Sequence, residues 1–296
     1  MARSGKRNPK DRRDAKFVKQ PGLQTVMAAL WPRRTDCEVF LQDVIDVTDL
    51  MSYIEKKNEE HPDYKTTVFH CVVAAIARML KERPKMNCFV QGYRHYEHND
   101  ITLSFVAKRR FADGAEEALM VLKAEDDDTI DTISKRIYGD VREARKSEHA
   151  TGGVDELLDQ FAALPRPIMA AAIKGVRIMD FWGINPDFLT EGDPNYTSVL
   201  LSNLGSIRCK SVYHHLSNYG TCSIMVTLGT IHKEEMLMED GTKEIRTVVD
   251  LGVTLDERIA DGFYFARSLK LVKHVFEHPE LLDQPIGVPS GFQYDV

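Results

Sequence analysis

The chain has 296 residues and a mass of 33.6 kDa, enough for one large domain or two ordinary ones. It is 43% hydrophobic and 28% charged, and Lys+Arg 39 against Asp+Glu 45 leaves a net charge of −6. That composition is of a globular protein and argues against a body that binds nucleic acid or anionic membrane throughout, so neither partner is expected. No uncharged apolar run approaches the roughly 18 to 20 residues of a membrane span, and no secretory signal pattern follows the basic start. Cys37, Cys71, Cys88, Cys209 and Cys222 are odd in number and form no close pair. Reduced thiols and a cytoplasmic location are the expectation.

Residues 1–20 carry eight Lys/Arg and little to bury, which predicts a basic flexible arm. A single domain is expected over 21–296, its packed part beginning near Leu30. Val39 to Val47 reads as a strand, and Thr48 as the cap of a helix carrying Leu50, Met51 and Ile54. The segment 66–82, TTVFHCVVAAIARMLKE, is apolar and small on every side and is stopped by Pro84, so it reads as a buried helix. His70 within it is expected to be a hydrogen-bonded core residue. Strands follow at Cys88–Tyr96 and Ile101–Lys108 around the turn His98-Asn99-Asp100, then at Ala118–Ala124. An amphipathic helix bears Ile130, Ile133, Ile137 and Val141. Thr151-Gly152-Gly153 breaks the pattern, and 154–190 reads as helical and apolar. Strands are expected at Ser198–Leu204, Ser223–His232 and Glu244–Leu255, the last two forming a hairpin through Asp240-Gly241. A closing helix carries Phe265, Leu269, Val272 and Phe276. The mixture, without regular βαβ repetition, predicts an α/β two-layer sandwich with a mixed sheet.

The usual short motifs are missing: no Walker loop, no dinucleotide glycine fingerprint, no His-Glu-x-x-His and no Cys-x-x-Cys, so no metal is expected. Chemistry points instead to Asp256-Glu257-Arg258-Ile259-Ala260-Asp261-Gly262 at a strand-to-helix junction. Asp261 can cap the helix, and Gly262 permits a tight turn. Three carboxylates in six residues repel unless an arginine, Arg258 or another, lies close.

DERIADGFYFAR resembles the signature of the chloramphenicol acetyltransferase and dihydrolipoyl acyltransferase superfamily, Asp-His-Arg-x-x-Asp-Gly or His-His-x-x-x-Asp-Gly before the last helix. Other segments fall in matching order. Ser202-Asn203-Leu204-Gly205 is similar to the Ser-Asn-Leu-Gly strand end of the acyltransferase domains, and Tyr219-Gly220 to Leu228-Gly229 to the run into the hairpin. Phe40 to Leu50, with DVTDL, is similar to the first strand and helix, and Met86-Asn87 to Val90 to the next strand. The resemblance spans roughly residues 25 to 285.

What the resemblance implies is a chloramphenicol-acetyltransferase-like fold that forms a homotrimer or a multiple of trimers. Its active sites would lie between subunits, each fed by coenzyme A or an acyl-CoA and by a small-molecule acceptor. Ser202 falls on the serine that stabilises the tetrahedral oxyanion. Asp261 falls on the aspartate that pairs with an arginine, for which Arg33 and Arg34 are candidates. Glu257 falls on the general-base histidine. A glutamate, with an ordinary pKa of about 4.3 against about 6.5, has roughly 3 kcal/mol less drive to take a proton. Burial beside Asp256 and Asp261 would retune it.

His214 and His215, in VYHHLSNYG, are the substitutes to consider, though a loop histidine pair is commonly a surface feature; His232 lies on a strand whose facing alternation does not reveal. Ser202 can equally bond a neighbouring backbone group. Two readings result: a CoA-thioester-dependent acyltransferase with an altered base, or a non-catalytic trimeric scaffold or ligand binder of the same fold. Membership of a 2-oxo-acid dehydrogenase complex would require a lipoyl carrier from another polypeptide, because no lipoyl domain is expected in this chain.

Overall fold

The apolar and β-branched segments assemble into one six-stranded sheet, a helical layer on its face and a small second sheet. A computed structural model of the chain describes residues 8, 10–108, 117–146, 162–238 and 240–294. The strands are β1 (Ala15–Val18), β2 (Glu38–Asp46), β3 (Cys88–Gln91), β4 (Arg94–His98), β5 (Ile101–Lys108), β6 (Glu117–Ala124), β7 (Val199–Asn203), β8 (Ile224–Leu237) and β9 (Lys243–Asp256). The helices are α1 (Gly22–Leu30), α2 (Thr48–Glu60), α3 (Val68–Glu82), α4 (Ile130–Lys146), α5 (Arg166–Trp182) and α6 (Gly262–Glu277).

The large sheet has the order β2-β9-β8-β7-β5-β6 and is mixed: β7 runs parallel to both β5 and β8, and the other pairs are antiparallel. Parallel strands need a long crossover, and α4 and α5 lie in the one between β6 and β7. Helix α3 fills the centre of the helical layer. Every residue from Val68 to Leu80 is buried, which is why its sequence is apolar on all sides, and Thr67 caps it through the His70 amide. Arg78, 1% exposed in this helix, keeps its charge hydrated by protein alone: its guanidinium donates to the carbonyls of Leu281, Gln284 and Val288.

Several sequence expectations change in the folded chain. The arm does not extend to residue 20. Arg12 and Ala15 are buried, and β1 pairs antiparallel with β4 in a three-stranded sheet of order β1-β4-β3. Helix α1 also precedes the expected start near Leu30. The run Cys88–Tyr96 is two strands, because Gly92 (φ 56°) and Tyr93 (φ 62°) both adopt the left-handed conformation of a tight hairpin turn. Alternation survived that turn and hid it. Val47, not Thr48, occupies the cap position of α2, while Thr48 bonds Thr247 instead. The expected break at Thr151-Gly152-Gly153 lies outside the described residues, as does residue 109–116 and part of the helical stretch begun at 154.

The β7 end and the β8 strand approach very closely. A Cβ at Gly205 would sit 2.3 Å from the Gly229 carbonyl oxygen. Gly205→Ala is therefore expected to destabilise the protein by about 1–3 kcal/mol, read as a fall in the urea midpoint. A loss no larger than that of an alanine in open space would show that the two backbones separate freely.

Candidate active site

Strand β9 ends at Asp256, a carboxylate with 0% exposure. Arg258, two residues on, turns back and clamps it with both arms of its fork: Nε donates to Oδ1 at 2.8 Å and Nη2 to Oδ2 at 2.6 Å. Arg34 adds a second buried guanidinium, its Nε 3.7 Å from Oδ2. The same two arginines tie in distant chain: Arg258 donates to the Trp31 carbonyl, and Arg34 to those of Ser217 and Gly220. His95 on β4 donates from Nε2 to the Arg258 carbonyl at 2.9 Å.

This assigns the ion pair to a different aspartate from the one expected. Asp261 does not meet Arg33 or Arg34; its side chain is exposed and accepts from the Tyr264 amide as the N-cap of α6. Arg33 pairs with Asp36 on the surface. Asp256, inside the protein, takes the structural role.

With its neighbours fixed in this way, Glu257 faces outward. Its amide donates to the Cys37 carbonyl at 2.9 Å, and its carboxylate has no hydrogen-bond or ion-pair partner among the described residues. The burial expected for it is absent in the single protomer. It lines a groove of about 370 Å³ with Met27 and Leu23 of α1, Lys85, Ala260 and Phe265. Asp261 lines the same groove.

Ser202, near the end of β7, lines a separate groove of about 310 Å³. The local turn is set by Asn203, whose Oδ1 accepts from the Ser206 amide, and by the close approach at Gly205. The Ser202 hydroxyl has no partner among the described residues, so the expected alternative of a bond to neighbouring backbone is not seen. The two grooves share no lining residue: one chain carries Ser202 and Glu257 on different surfaces.

A residue not anticipated as functional stands beside Ser202. His70 lines its groove, 7% exposed, with a buried Nδ1 that has no hydrogen-bond partner among the described residues; it is not the bonded core residue expected from the helix pattern. Burial pushes its pKa down to about 4, leaving a neutral ring at pH 7. The signal in sequence was a lone histidine in an otherwise apolar helix, but nothing there showed which wall of the helix met the groove.

The substitute histidines are placed elsewhere. His214 and His215 bond to the carbonyls of His215 and Leu216 through their own Nδ1 atoms and line neither groove. Their segment runs beside β2, where Tyr213 packs on Phe40 at 5.4 Å and Leu216 donates to Glu38. His232 faces Glu234 on the outer part of β8.

A mixed sheet under one helical layer, with a clamped aspartate at the last strand-to-helix junction and a free serine at the end of a parallel strand, defines an acyltransferase-type frame. The sequence profile of the 2-oxoacid dehydrogenases acyltransferase (catalytic domain) family matches residues 24–152 and 188–283, and the chain belongs to that family. It is 24% identical over 238 residues to the lipoamide acyltransferase component of the branched-chain alpha-keto acid dehydrogenase complex of Bacillus subtilis (strain 168), covering 79% of this chain and 45% of that protein. The chain thus spans just under half of that relative's length. Its fold is similar to a probable dihydrolipoamide acetyltransferase from Listeria monocytogenes 4b F2365, with a TM-score of 0.59, 18% identity, and coverage of 95% of this chain and 98% of that one. It is also similar to a chloramphenicol acetyltransferase, with a TM-score of 0.52, 11% identity, and coverage of 88% and 99%.

Two predictions concern this site. Asp256→Asn is expected to cost about 3–5 kcal/mol, since it leaves two buried guanidiniums short of a counter-charge, whereas Asp261→Asn keeps a good cap and stays within about 0.5 kcal/mol. Chemical denaturation of both variants checks the order, and a larger loss at Asp261 would overturn the assignment. The second concerns His70. Because its folded pKa lies below the unfolded value, the neutral ring's stabilisation is complete above about pH 6.5 and is lost as pH falls toward 4. His70→Leu is expected to flatten the fall in unfolding free energy over that window, measured by urea unfolding at successive pH values.

Proposed function

We propose that this protein is a CoA-thioester-dependent acyltransferase whose site is completed between protomers of a homotrimer. The observation that carries the reading is the division of the chemistry over two open grooves of one chain. Each groove is lined by a polar group without a partner among the described residues, the Ser202 hydroxyl in one and the Glu257 carboxylate in the other. Bringing the Ser202 groove of one protomer against the Glu257 groove of its neighbour joins the halves.

In the reaction, Glu257 takes the proton from the acceptor's hydroxyl or thiol as that atom attacks the thioester carbonyl carbon. The carbonyl π electrons move to oxygen, and the Ser202 O–H donates to the resulting oxyanion. Collapse re-forms the carbonyl and expels the CoA thiolate, which recovers the proton from Glu257. A carboxylate is a weaker base than imidazole, so thiol acceptors, more acidic than alcohols, suit the site better. Five cysteines without a disulfide fit a reducing, cytoplasmic setting. The competing reading, a trimeric scaffold or ligand binder without turnover, is favoured by one feature, an exposed Glu257 where the family carries a histidine.

Mixing separates the two. Ser202→Ala and Glu257→Gln are each expected to lose turnover of acetyl-CoA with dihydrolipoamide, the acceptor suggested by the lipoamide acyltransferase relative. Co-assembled in equal amounts, they should regain about one quarter of wild-type activity, because that share of interfaces pairs an intact Ser202 with an intact Glu257. No recovery from two inactive variants rejects a shared site. Absence of both turnover and thermal stabilisation by millimolar CoA would favour the scaffold.

A further inference from the structure

The groove that holds Ser202 is walled mostly by apolar side chains, among them Phe69, Phe105, Ile137, Leu204 and Ile207. Few of its polar groups are left to meet a developing charge. Thr67 Oγ1 accepts from the His70 amide as the cap of α3, Asn203 Oδ1 accepts from the Ser206 amide, and the Ser206 hydroxyl donates to the Asn203 carbonyl. Arg145 is exposed and already engaged. The Ser202 hydroxyl and the His70 ring remain.

His70 is the third residue of α3 and only 7% exposed. Its Nδ1 is buried within the chain and has no hydrogen-bond partner among the described residues. A buried acceptor left unpaired is tolerated better than a buried N–H left unpaired. The neutral ring therefore carries its proton on Nε2, the nitrogen left for the groove. The helix acts in the same direction, because the positive end of its dipole disfavours a protonated imidazole and favours an anion nearby. His70 and Ser202 line one groove of one chain, so their pairing does not depend on which outer faces a neighbouring protomer covers.

Resting on the acyl-transfer reading above, we propose that His70 is a second oxyanion donor, its Nε2–H pointing with the Ser202 hydroxyl at the oxygen that becomes charged. As the acceptor attacks the thioester carbon, the carbonyl π electrons move to that oxygen, which accepts from both groups. Neither donor gives up its proton, and both bonds weaken again when the carbonyl re-forms and the CoA thiolate leaves. A neutral imidazole suits the task, since it offers a hydrogen bond without competing as a base; burial already holds the His70 pKa down at about 4. The gain is of the size that Glu257 lacks. Glutamate in place of histidine forgoes about two pKa units, roughly a hundredfold in taking a proton. One oxyanion donor typically supplies about a hundredfold to a thousandfold in kcat, enough to offset that loss.

Steady-state kinetics of the full chain with acetyl-CoA and dihydrolipoamide test the assignment. His70→Phe keeps a ring and loses the donor; it should lower kcat about hundredfold and change KM for acetyl-CoA by less than about threefold. His70→Gln, whose amide nitrogen reaches the place of Nε2, should retain kcat to within about tenfold, whereas His70→Asn, whose amide stops at the place of Nδ1, should be as slow as His70→Phe. Glutamine cannot act as a base, so its rescue is specific to a donor. Undiminished kcat in His70→Phe, or His70→Gln as slow as His70→Phe, overturns the proposal and leaves the acyltransferase reading standing. No turnover by the wild-type protein rejects that reading and the proposal with it. An oligomeric state altered by His70→Phe with kcat intact would assign the ring to a protomer contact and equally overturn it. Nitrogen NMR of histidine-labelled wild-type protein needs no variant: His70 should show the Nε2–H tautomer, and an Nδ1–H or protonated ring at pH 7 overturns the proposal.

Discussion

The candidate site depends on a carboxylate taken wholly out of water at the end of β9. Asp256 is desolvated, a penalty of several kcal/mol for an isolated charge, and its position is sustainable only because two guanidiniums converge on it. Arg258 meets it as a fork from two residues away, while Arg34 arrives from the segment before β2. Each arginine has donors left over, and these reach the carbonyls of Trp31, Ser217 and Gly220. One buried charge cluster thus holds three separated stretches of chain. Because Arg258 is folded back and Asp256 points inward, the intervening Glu257 is left facing out.

The same constraint explains why the second aspartate of the motif is free to act as a cap. With its charge not required for the ion pair, Asp261 sits at the solvent edge of α6 and lines the Glu257 groove. A second carboxylate thus joins the proposed base in that groove, which Lys85 and Arg258 also line. The Ser202 groove differs in character. Phe69, Phe105, Ile137 and the neutral His70 surround its serine, an apolar wall interrupted by a few polar groups, as small-molecule sites commonly are.

Helix α5 stands apart from this economy of burial. Helix α3 exposes almost nothing from Val68 to Leu80, whereas α5 presents isoleucines and a tryptophan to solvent beside a cationic stripe.

Local patterns determined much of this protein. Alternation and three-to-four spacing located most strands and helices, Asp240-Gly241 located the long hairpin, and the order of short motifs pointed to the acyltransferase frame, because each depends on residues close in sequence. The tertiary structure alone decided three matters. It split Cys88–Tyr96 at a Gly-Tyr turn that left the alternation intact. It chose Asp256 over Asp261 for the ion pair, a choice that required Arg34, more than two hundred positions away, to arrive at β9. It also set His70 in the groove of Ser202, from a helix and a strand far apart in the chain. Spacing along a chain carries the backbone's periodicity, but desolvation and charge pairing act through space, and only the folded arrangement says which groups lose water together.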